Sequence, residues 1–453
     1  MDTVSDQYQR PVSLKRVLPP LFIGFAFVAV IMPMSKLLAG IMFTLIVITA
    51  TWQVPAIGLV LVVAAVPFQQ DLALTSAVKF SLAEVNLALA AFVMFMKLVS
   101  GGHPIRLSSL QIPVLIYILV CLVSGLVNWR GGVAITSLVQ MFMFLTVSVT
   151  VFASLVDRVE EFKPALNTFI VIGVCLGLLQ IITRDPYVLG LHKNGAGATL
   201  ASAFVVATEF WFSETDSGKR RRLLVALALI GVGMFFYLSR GAWMAAFVGV
   251  LTIAALRHQW QLLSRFAIYS IPIVIACWFL LGEEQKSYVF GFETERWNVK
   301  HRLNNAEFAW DHFQKNVLLG DGVGLRKQHD ATNVILFTLA ETGVLGLIAF
   351  SAIHIVFLRQ LWVTQKVLDR TDPLYSPVAI AGALVLGRLT HGMVDHYWSR
   401  GVLTLAWGAA GMATLAYLQV RARNREAKQA EATLANMMWH NSGLSVSRRS
   451  QNL

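Results

Sequence analysis

The sequence has little charge for its length. Charged residues make up 14% of the 453 residues, hydrophobic residues make up 56%, and the mean hydropathy is +0.64. Uncharged apolar runs of roughly 15 to 25 residues recur from end to end, which is the length that a hydrocarbon layer about 30 Å thick selects. The pattern argues against an ordinary soluble domain and predicts an all-α, polytopic α-helical membrane protein.

Cysteine is scarce, and nucleotide-binding motifs are missing. Cys121, Cys175 and Cys277 all lie within apolar runs, so neither a disulfide framework nor a thiolate metal site is predicted. The sequence contains no Gly-rich dinucleotide fingerprint and no Walker pattern, so no nucleoside triphosphate is implied. The first apolar run lacks a small-residue cleavage site, and we expect no cleaved signal peptide. No cofactor and no metal site are predicted.

The apolar runs predict twelve to fourteen transmembrane helices. Residues 18–281 contain the first eleven, and residues 332–420 contain the last three. Two of the short runs in residues 18–67 can form one bent element. Residues 282–331 are the one long polar connection. Residues 1–17 and 421–453 are the termini, and the mixed charge of the tail is typical of a mostly disordered extension or of one short surface helix.

The basic residues favour one orientation in the membrane. The net charge is +12, from 37 Lys and Arg against 25 Asp and Glu, but the basic residues lie beside the apolar runs rather than in one patch, which argues against nucleic acid binding. With a cytoplasmic N-terminus, the inside segments hold more basic residues than the short outside connections. Both termini are therefore predicted to be cytoplasmic, and the long loop is predicted to lie outside.

Some outward connections carry cations that this orientation disfavours, namely Arg184, Lys193, Arg240 and Arg400. An anionic ligand on the outer face would explain them. Ser239 is predicted to cap a helix that begins at Arg240, and a helix N-terminus beside a guanidinium favours phosphate oxygens. The alternative is an arginine that extends to the lipid head groups.

The long loop contains a predicted amphipathic helix. Its apolar face consists of Leu303, Ala306, Trp310, Phe313 and Val317. Arg302 and Glu307 lie on the polar face. We expect Arg302, Glu307 and Arg326 to contact a substrate, although a solvated face explains the first two equally well. Gly320-Asp321-Gly322-Val323-Gly324 predicts a tight structural turn.

His329 lies just before the helix that re-enters the membrane, which Thr332 and Asn333 are predicted to cap. A histidine at this surface suits the abstraction of a proton from a sugar hydroxyl, whereas a solvated loop residue is the simpler explanation.

The two following helices contain ionisable residues that are expected to face the bundle interior. Arg388, His391 and Asp395 are spaced to form one polar stripe. Ionisable residues within a membrane tend to pair with one another, and a structural pair of Glu341 with Arg388 is predicted. Asp395 and Arg400 lie nearest the outer surface and are predicted to contact the ligand.

Three stretches, in this order, resemble the O-antigen ligase and Wzy polymerase family. They are Ser239-Arg240-Gly241-Ala242-Trp243, Leu319-Gly320-Asp321-Gly322-Val323-Gly324 and Leu339-Ala340-Glu341-Thr342-Gly343-Val344-Leu345-Gly346, within residues 165–420. The resemblance implies a GT-C-like, metal-independent glycosyltransferase of the bacterial inner membrane. It also implies that the active site faces the periplasm and that the donor glycan is linked to undecaprenyl diphosphate. The implied acceptor is a glycan or a lipid, and the implied protein partners are flippases and chain-length regulators.

The resemblance assigns roles to residues and leaves the acceptor open. Arg240 and His329 would be catalytic, with Arg184, Lys193 or Arg400 helping to hold the leaving diphosphate. In the ligases, a His-Asn pair begins the helix that carries the last of these motifs, whereas this chain has Thr332-Asn333 there. The run Asp395-His396-Tyr397-Trp398-Ser399-Arg400-Gly401 is more similar to exopolysaccharide polymerases. A polymerase is therefore the first hypothesis and a ligase the alternative. A transporter or lipid-glycan flippase, or a non-catalytic assembly protein, would also explain buried charges.

Overall fold

A computed structural model describes residues 14–69, 72–73, 79–101, 103–185, 187–290, 297–329 and 332–449. The first helices are α1 (Leu14–Ile31), α2 (Lys36–Gln53), α3 (Pro55–Ala64), α4 (Leu82–Val99), α5 (Gln111–Val127), α6 (Gly132–Met141), α7 (Ser148–Ser154), α8 (Lys163–Thr183) and α9 (Lys193–Ser213). The remainder are α10 (Ser217–Phe236), α11 (Arg240–Arg257), α12 (Trp260–Phe279), α13 (Glu283–Phe290), α14 (Trp297–Lys315), α15 (Leu325–Gln328), α16 (Val334–Gln365), α17 (Tyr375–Gly392) and α18 (Val402–Arg449).

Short elements connect some of these helices. A π-helical turn, Phe142–Val147, joins α6 to α7, and the combined helix is one apolar element. Single 3-10 turns cover Val159–Phe162 and Val188–Gly190, and two-residue strands at Leu72–Ala73 and Lys79–Phe80 pair antiparallel. The other secondary-structure elements of the described residues are helices.

The all-α membrane architecture is confirmed. Within the described residues, eight helical elements are long and apolar enough to cross a membrane, and four shorter apolar helices accompany them. A helix lies at each predicted span. Large apolar side chains on α1, α2, α5 and α12 are exposed, among them Phe22, Ile41, Ile112 and Phe279. Such residues can face lipid because lipid tails are as apolar as the side chains themselves.

The core of the bundle contains an aromatic cluster where α5, α16, the α17–α18 connection and α18 meet. Phe350 packs edge-on against Tyr397 at a centroid distance of 5.5 Å, and the Trp407 indole N–H donates to the Tyr397 hydroxyl at 3.2 Å. His354 lies between them, 5.4 Å from Trp407. Buried aromatic residues remove much area from solvent, and their polar atoms need partners. The cluster therefore fixes the α17–α18 connection, which follows the polar stripe of α17.

The structure adds to the description of the long loop and corrects that of the tail. Three side chains of the predicted apolar face near α14, Leu303, Trp310 and Val317, are exposed, whereas Ala309 on another face packs against α16. The tail was predicted to be a mostly disordered extension or one short surface helix, but α18 continues through Arg449. Residues 421–434 are rich in Ala, Glu, Lys, Arg and Gln, which favour helix, and they extend a helix that packing has already nucleated. Residues 450–453 lie outside the described residues.

Candidate functional site at the loop end of the bundle

Most of the connections predicted to lie outside meet at one end of the bundle, which we call the loop end (residues 66–69, 81–84, 128–131, 191–197, 238–241, 317–333 and 391–401). Close approaches join these connections in pairs: Gly401 with Val66, Gly195 with Gln69, Gly197 with Ser239, and Gly241 with His391. The opposite end, the tail end (residues 106–108, 154–163, 209–217, 257–260, 366–376 and 419–423), contains the predicted inside connections. The connections therefore alternate between the two ends as the predicted spans require, and the orientation of the two ends in the membrane stays a prediction.

At the loop end, the long loop is inserted into a break in α16. Gly343 has φ 64° and ψ −164°, so the helix is interrupted there. Three backbone hydrogen bonds connect the interrupted helix to residues 317–321: Asp321 N–H donates to Ala340 C=O at 2.7 Å, Val344 N–H to Val317 C=O at 2.9 Å, and Leu345 N–H to Leu318 C=O at 3.3 Å. A broken helix leaves backbone groups that must be satisfied within a bilayer. The loop segment supplies those partners.

Glu341 holds the start of the next loop helix. Its Oε1 accepts hydrogen bonds from the backbone N–H groups of Gly324 and Arg326, each at 3.0 Å, and its Oε2 lies 3.0 Å from Arg326 Nη2. Glu341 and Arg326 are both buried. The predicted pairing of Glu341 with Arg388 is therefore wrong, because the returning loop brings Arg326 closer. Arg326, predicted to contact substrate, is instead paired with Glu341 and lies 4.4 Å from the Trp398 ring.

The glycine-rich turn packs against the end of α5. Gly320, Gly322 and Gly324 have φ values of 70°, 97° and 117°, which other residues rarely adopt. Asn128 Nδ2 donates to Gly320 C=O at 3.0 Å, and Arg130 Nη2 lies 2.9 Å from Asp321 Oδ2. The same carboxylate oxygen is bonded to His312 Nδ1. The structural role predicted for this turn fits these contacts.

The polar stripe at the end of α17 is organised around Arg388. Its Nε donates to Tyr397 C=O at 2.9 Å, its Nη2 donates to Ser399 Oγ at 2.7 Å and also to the His396 carbonyl, and its Nη1 donates to His391 Nδ1 at 3.0 Å. All of these partners are neutral groups. Arg388 therefore fixes the α17–α18 connection and orients the imidazole of His391.

The start of α11 lies directly against this imidazole. A Cβ added to Gly241 would lie 3.0 Å from His391 Cδ2 and 3.1 Å from His391 Nε2. Arg240, predicted to be catalytic, is the first residue of α11 and is partly exposed. The predicted Ser239 cap is absent, because the buried Ser239 side chain makes no capping hydrogen bond. The N–H groups of the first turn of a helix have no partners within that helix.

The remaining loop residues flank this region. Arg302, on α14, is partly buried and within electrostatic range of His391, and it makes no ion pair or hydrogen bond with any residue that the structure describes. Glu307 is exposed on the same helix. His329 is exposed and stacks on Phe308 at a centroid distance of 3.7 Å. Asn333 caps α16 as predicted, since its Oδ1 accepts from Ile335 and Leu336 N–H.

Two of the predicted cations begin or end helices elsewhere in the loop end. Lys193 is the first residue of α9. That helix's first turn contacts Ser239 and Ala242 through Gly197, so Lys193 lies on an element adjacent to the start of α11. Arg184 ends α8 in a left-handed conformation, with its guanidinium 5.1 Å from the Phe236 ring. The contacts of Arg184 are with α10 rather than with His391 or α11.

Asp395 and Arg400 were predicted to lie nearest the outer surface and to contact the ligand. Asp395 is buried, and its Oδ1 accepts from His396 N–H at 2.7 Å. Arg400 lies in the α17–α18 connection, and its Nε is 3.9 Å from Glu84 Oε2. Burial lowers the pKa of the Arg400 guanidinium. Both residues point inward because the Arg388 hydrogen bonds curl the α17–α18 connection over the bundle.

Glu84 was missed by the sequence analysis. It lies in the first turn of α4, where Ser81 N–H donates to Glu84 Oε2 at 2.5 Å and Glu84 N–H donates to Ser81 Oγ at 3.3 Å. This capping box was detectable from the Ser-x-x-Glu spacing. Its carboxylate is fully buried, and Oε1 has no hydrogen-bond partner among the described residues. Nothing in the sequence pattern indicates that Glu84 lies close to Arg400.

No protein-family model matches the chain, and no curated protein matches it. Within the described ranges, no three His, Cys, Asp or Glu side chains are grouped to hold a metal ion. The candidate site is therefore defined by its geometry: the first turn of α11, which begins at Arg240, contacts the imidazole of His391, and Arg302 lies within electrostatic range of that imidazole.

Proposed function

We propose that this protein is a glycosyltransferase that uses a glycan linked to a lipid diphosphate and acts at the loop end, which would face the periplasm of a bacterial inner membrane. The observation that carries the proposal is the contact of the first turn of α11, which begins at Arg240, with the buried imidazole of His391. Guanidinium groups and free helix N–H groups are suited to phosphate oxygens. The order of the three family-like motifs adds independent support.

Arg240 and the α11 turn would hold the diphosphate leaving group. A glycosyl diphosphate departs readily when the charge that develops on its oxygen is stabilised, and preorganised donors in a water-poor site do this well. Arg302 would add charge from the loop side. Lys193 lies at the start of α9, and Arg400 lies in the α17–α18 connection. Arg184 is also at the loop end, but it contacts α10. Arg326, which was predicted to contact the substrate, would instead hold the loop in position through its ion pair with Glu341.

His329 would accept the proton of the attacking hydroxyl. The acceptor oxygen forms a bond to the anomeric carbon as its proton moves to the imidazole, and the bond from that carbon to the diphosphate oxygen breaks with both electrons going to the diphosphate. One displacement inverts the anomeric centre. His329 stacks on Phe308 of α14, so a movement of α14 would also move the His329 imidazole. Glu307, which is exposed on the same helix, would contact the glycan.

Polymerisation is the first choice for the reaction. The acceptor would then be a second glycan on a lipid diphosphate, which would also occupy the loop end. The run that curls over the bundle through Arg388, from Asp395 to Gly401, is the stretch that is more similar to exopolysaccharide polymerases. A ligase would take lipid A-core as acceptor with the same donor site.

The test is a reconstituted reaction. The purified protein in lipid nanodiscs is mixed with undecaprenyl diphosphate-linked oligosaccharide, and the products are separated by chain length and analysed by mass spectrometry. We expect longer glycan together with free carrier diphosphate. When lipid A-core is added, a polymerase still lengthens the lipid-linked glycan and leaves lipid A-core unmodified, whereas a ligase gives glycosylated lipid A-core. A flippase or transporter would move the substrate between leaflets without forming a glycosidic bond.

The Arg240→Ala variant tests the site itself. Removing one donor that stabilises a developing oxyanion lowers kcat by about 10²–10³-fold, and we expect a loss of this size. Arg222→Ala is the matched control, since Arg222 is an exposed arginine on α10, and it should retain full activity. An Arg240→Ala protein with normal turnover would contradict the proposed donor site. His329→Ala should lose about 10²–10⁴-fold if this residue is the base.

A further inference from the structure

His391 is held in one orientation by a residue that is itself fixed. The imidazole is 3% exposed and lies at the end of α17. Its Nδ1 is 3.0 Å from Arg388 Nη1, and the Arg388 guanidinium is anchored on the Tyr397 carbonyl and on Ser399 Oγ. The ring therefore cannot turn without breaking the buried hydrogen bond between Arg388 Nη1 and His391 Nδ1.

This arrangement determines which ring nitrogen carries the proton. A guanidinium has donors and no acceptor, so the hydrogen bond requires a lone pair on His391 Nδ1. In a neutral imidazole with an accepting Nδ1, the hydrogen is on Nε2. His391 consequently presents an N–H donor from Nε2.

The Nε2 donor is directed at the start of α11. Nε2 is buried and has no hydrogen-bond partner within the part of the chain that the structure describes. The position of a Cβ on Gly241 would be 3.1 Å from it. A buried donor without a partner is costly, and such groups in native structures usually have a protein partner, a water or a ligand. The donor is therefore next to the first turn of α11, whose N–H groups have no partners within that helix.

The charges around this place favour an anion. Arg388 and Arg302 both act on His391, and Arg240 begins the adjacent helix. Asp395 is the nearby acid, and it already accepts from His396 N–H. On the interior side, a cavity of about 10 Å³ borders Arg388 and His391, which is room for about one water.

We propose that His391 donates a hydrogen bond from Nε2 to a phosphate oxygen of a lipid diphosphate bound at the first turn of α11. The identification of the ligand rests on the proposed function, whereas the donor and its direction do not. His391 would thus be a binding residue for the leaving group, oriented by Arg388 as a positioning residue.

The first test measures binding to the full-length protein in nanodiscs by calorimetry, with farnesyl diphosphate as the probe. His391→Leu should raise Kd about tenfold or more, because it removes a hydrogen bond to a charged group. His391→Gln retains an N–H donor and should stay within about threefold of the wild type. His354→Leu, which alters another buried histidine, is the matched control and should leave Kd unchanged. A folded His391→Leu protein that binds the probe with unchanged Kd overturns the proposal.

Two further probes identify the source of the anion. Farnesyl monophosphate and inorganic pyrophosphate are titrated in parallel. The proposal expects the wild-type protein to bind farnesyl diphosphate more tightly than either of the other probes, because the diphosphate and the lipid both contribute contacts. Inorganic pyrophosphate that binds the wild type as tightly as farnesyl diphosphate would contradict the part of the proposal that assigns a lipid-linked ligand.

The second test observes the His391 imidazole directly in the wild-type protein. Nitrogen-15 labelling of histidine, with His391→Gln to assign the resonance, reports the tautomer by NMR. We expect hydrogen on Nε2 and a shift of that resonance when farnesyl diphosphate is added. Hydrogen on Nδ1, or a resonance that the probe does not move because the partner is a water, would overturn the proposal.

These outcomes separate the inference from the proposed function. If farnesyl diphosphate binding depends on His391 but no glycan is transferred, the inference stands and the glycosyltransferase proposal fails. If glycan is transferred and His391→Leu leaves kcat and KM unchanged, the glycosyltransferase proposal stands and the inference fails.

Discussion

The two ends of the bundle treat their buried charges differently. At the tail end, Arg257 Nε donates to both carboxylate oxygens of Glu209, at 2.9 and 3.1 Å, and Arg257 Nη2 also donates to Ser376 Oγ at 3.0 Å. The Tyr375 ring covers the guanidinium at 5.1 Å. Each charge has its complement, and both side chains are buried.

At the loop end the polar groups are only partly matched. Glu341 and Arg326 form a buried ion pair there too, but Arg388 is bonded to carbonyls, a hydroxyl and an imidazole rather than to a carboxylate. His391 Nε2 and Glu84 Oε1 are buried and have no hydrogen-bond partner among the described residues. Buried polar atoms are nearly always hydrogen-bonded in native proteins. Under the proposed function, these unmatched groups at the loop end are hydrogen-bonding capacity for a ligand, whereas the Arg257 pair at the tail end contributes to stability.

The largest expected effect comes from breaking the matched pair. Arg257→Leu leaves the Glu209 carboxylate buried without its partner and should lower the free energy of unfolding by about 3–5 kcal/mol. The measurement is reversible unfolding in mixed micelles. The double variant Glu209→Leu with Arg257→Leu should recover most of that loss, since a buried pair can be replaced by apolar side chains. If the single variant were as stable as the wild type, the assignment of the tail end as structural would be wrong.

An intermediate effect is expected at the break in α16. Gly343→Ala would place a Cβ against the Leu318 backbone, 2.7 Å from Leu319 N, at a φ of 64°. The strained conformation and the collision should cost about 1–3 kcal/mol and loosen residues 317–321. Limited proteolysis of the loop, compared with that of Gly40→Ala, provides the measurement, because a Cβ at Gly40 meets nothing within 4 Å. Equal cleavage rates would show that the loop does not depend on the break.

The smallest effect on stability is expected for Arg302→Ala. Arg302 makes no ion pair or hydrogen bond within the described part of the chain, so its removal should change the free energy of unfolding by no more than about 0.5 kcal/mol. Under the proposed function, the same variant should weaken the binding of farnesyl diphosphate. A marked loss of stability would place Arg302 with Arg257 as a structural cation and would remove the contrast between the ends.

Much of the fold was predictable because the apolar runs are long and regular. The spans, the Asn333 cap and the (i, i+3) contact of Arg388 with His391 all depend on local spacing. The helical tail was missed because the composition of a charged segment was weighed without the packed helix that precedes it. Local periodicity therefore describes individual helices well.

The candidate site was less predictable because its contacts join distant parts of the chain. Both Arg326 and Arg388 were available to Glu341, and the choice depends on how the loop returns through the break at Gly343. A glycine in an apolar helix does not by itself indicate a break. His391 was predicted to be polar and interior, yet the direction of its Nε2 depends on the packing of α11 against α17. The roles of Arg240 and His329 in catalysis stay predictions.

The insertion of the loop into α16 has a consequence for how the chain enters the membrane. A charged residue near the centre of an inserting helix costs about 2.5–3.5 kcal/mol, and α16 also carries a break with exposed backbone groups. Arg326 and the segment 317–321 are synthesised before Glu341 and Gly343. The counter-ion and the backbone partners are therefore already present when α16 emerges from the ribosome. We expect the long loop and α16 to enter the membrane as one hairpin, so that the loop pairs with α16 during biosynthesis rather than afterwards.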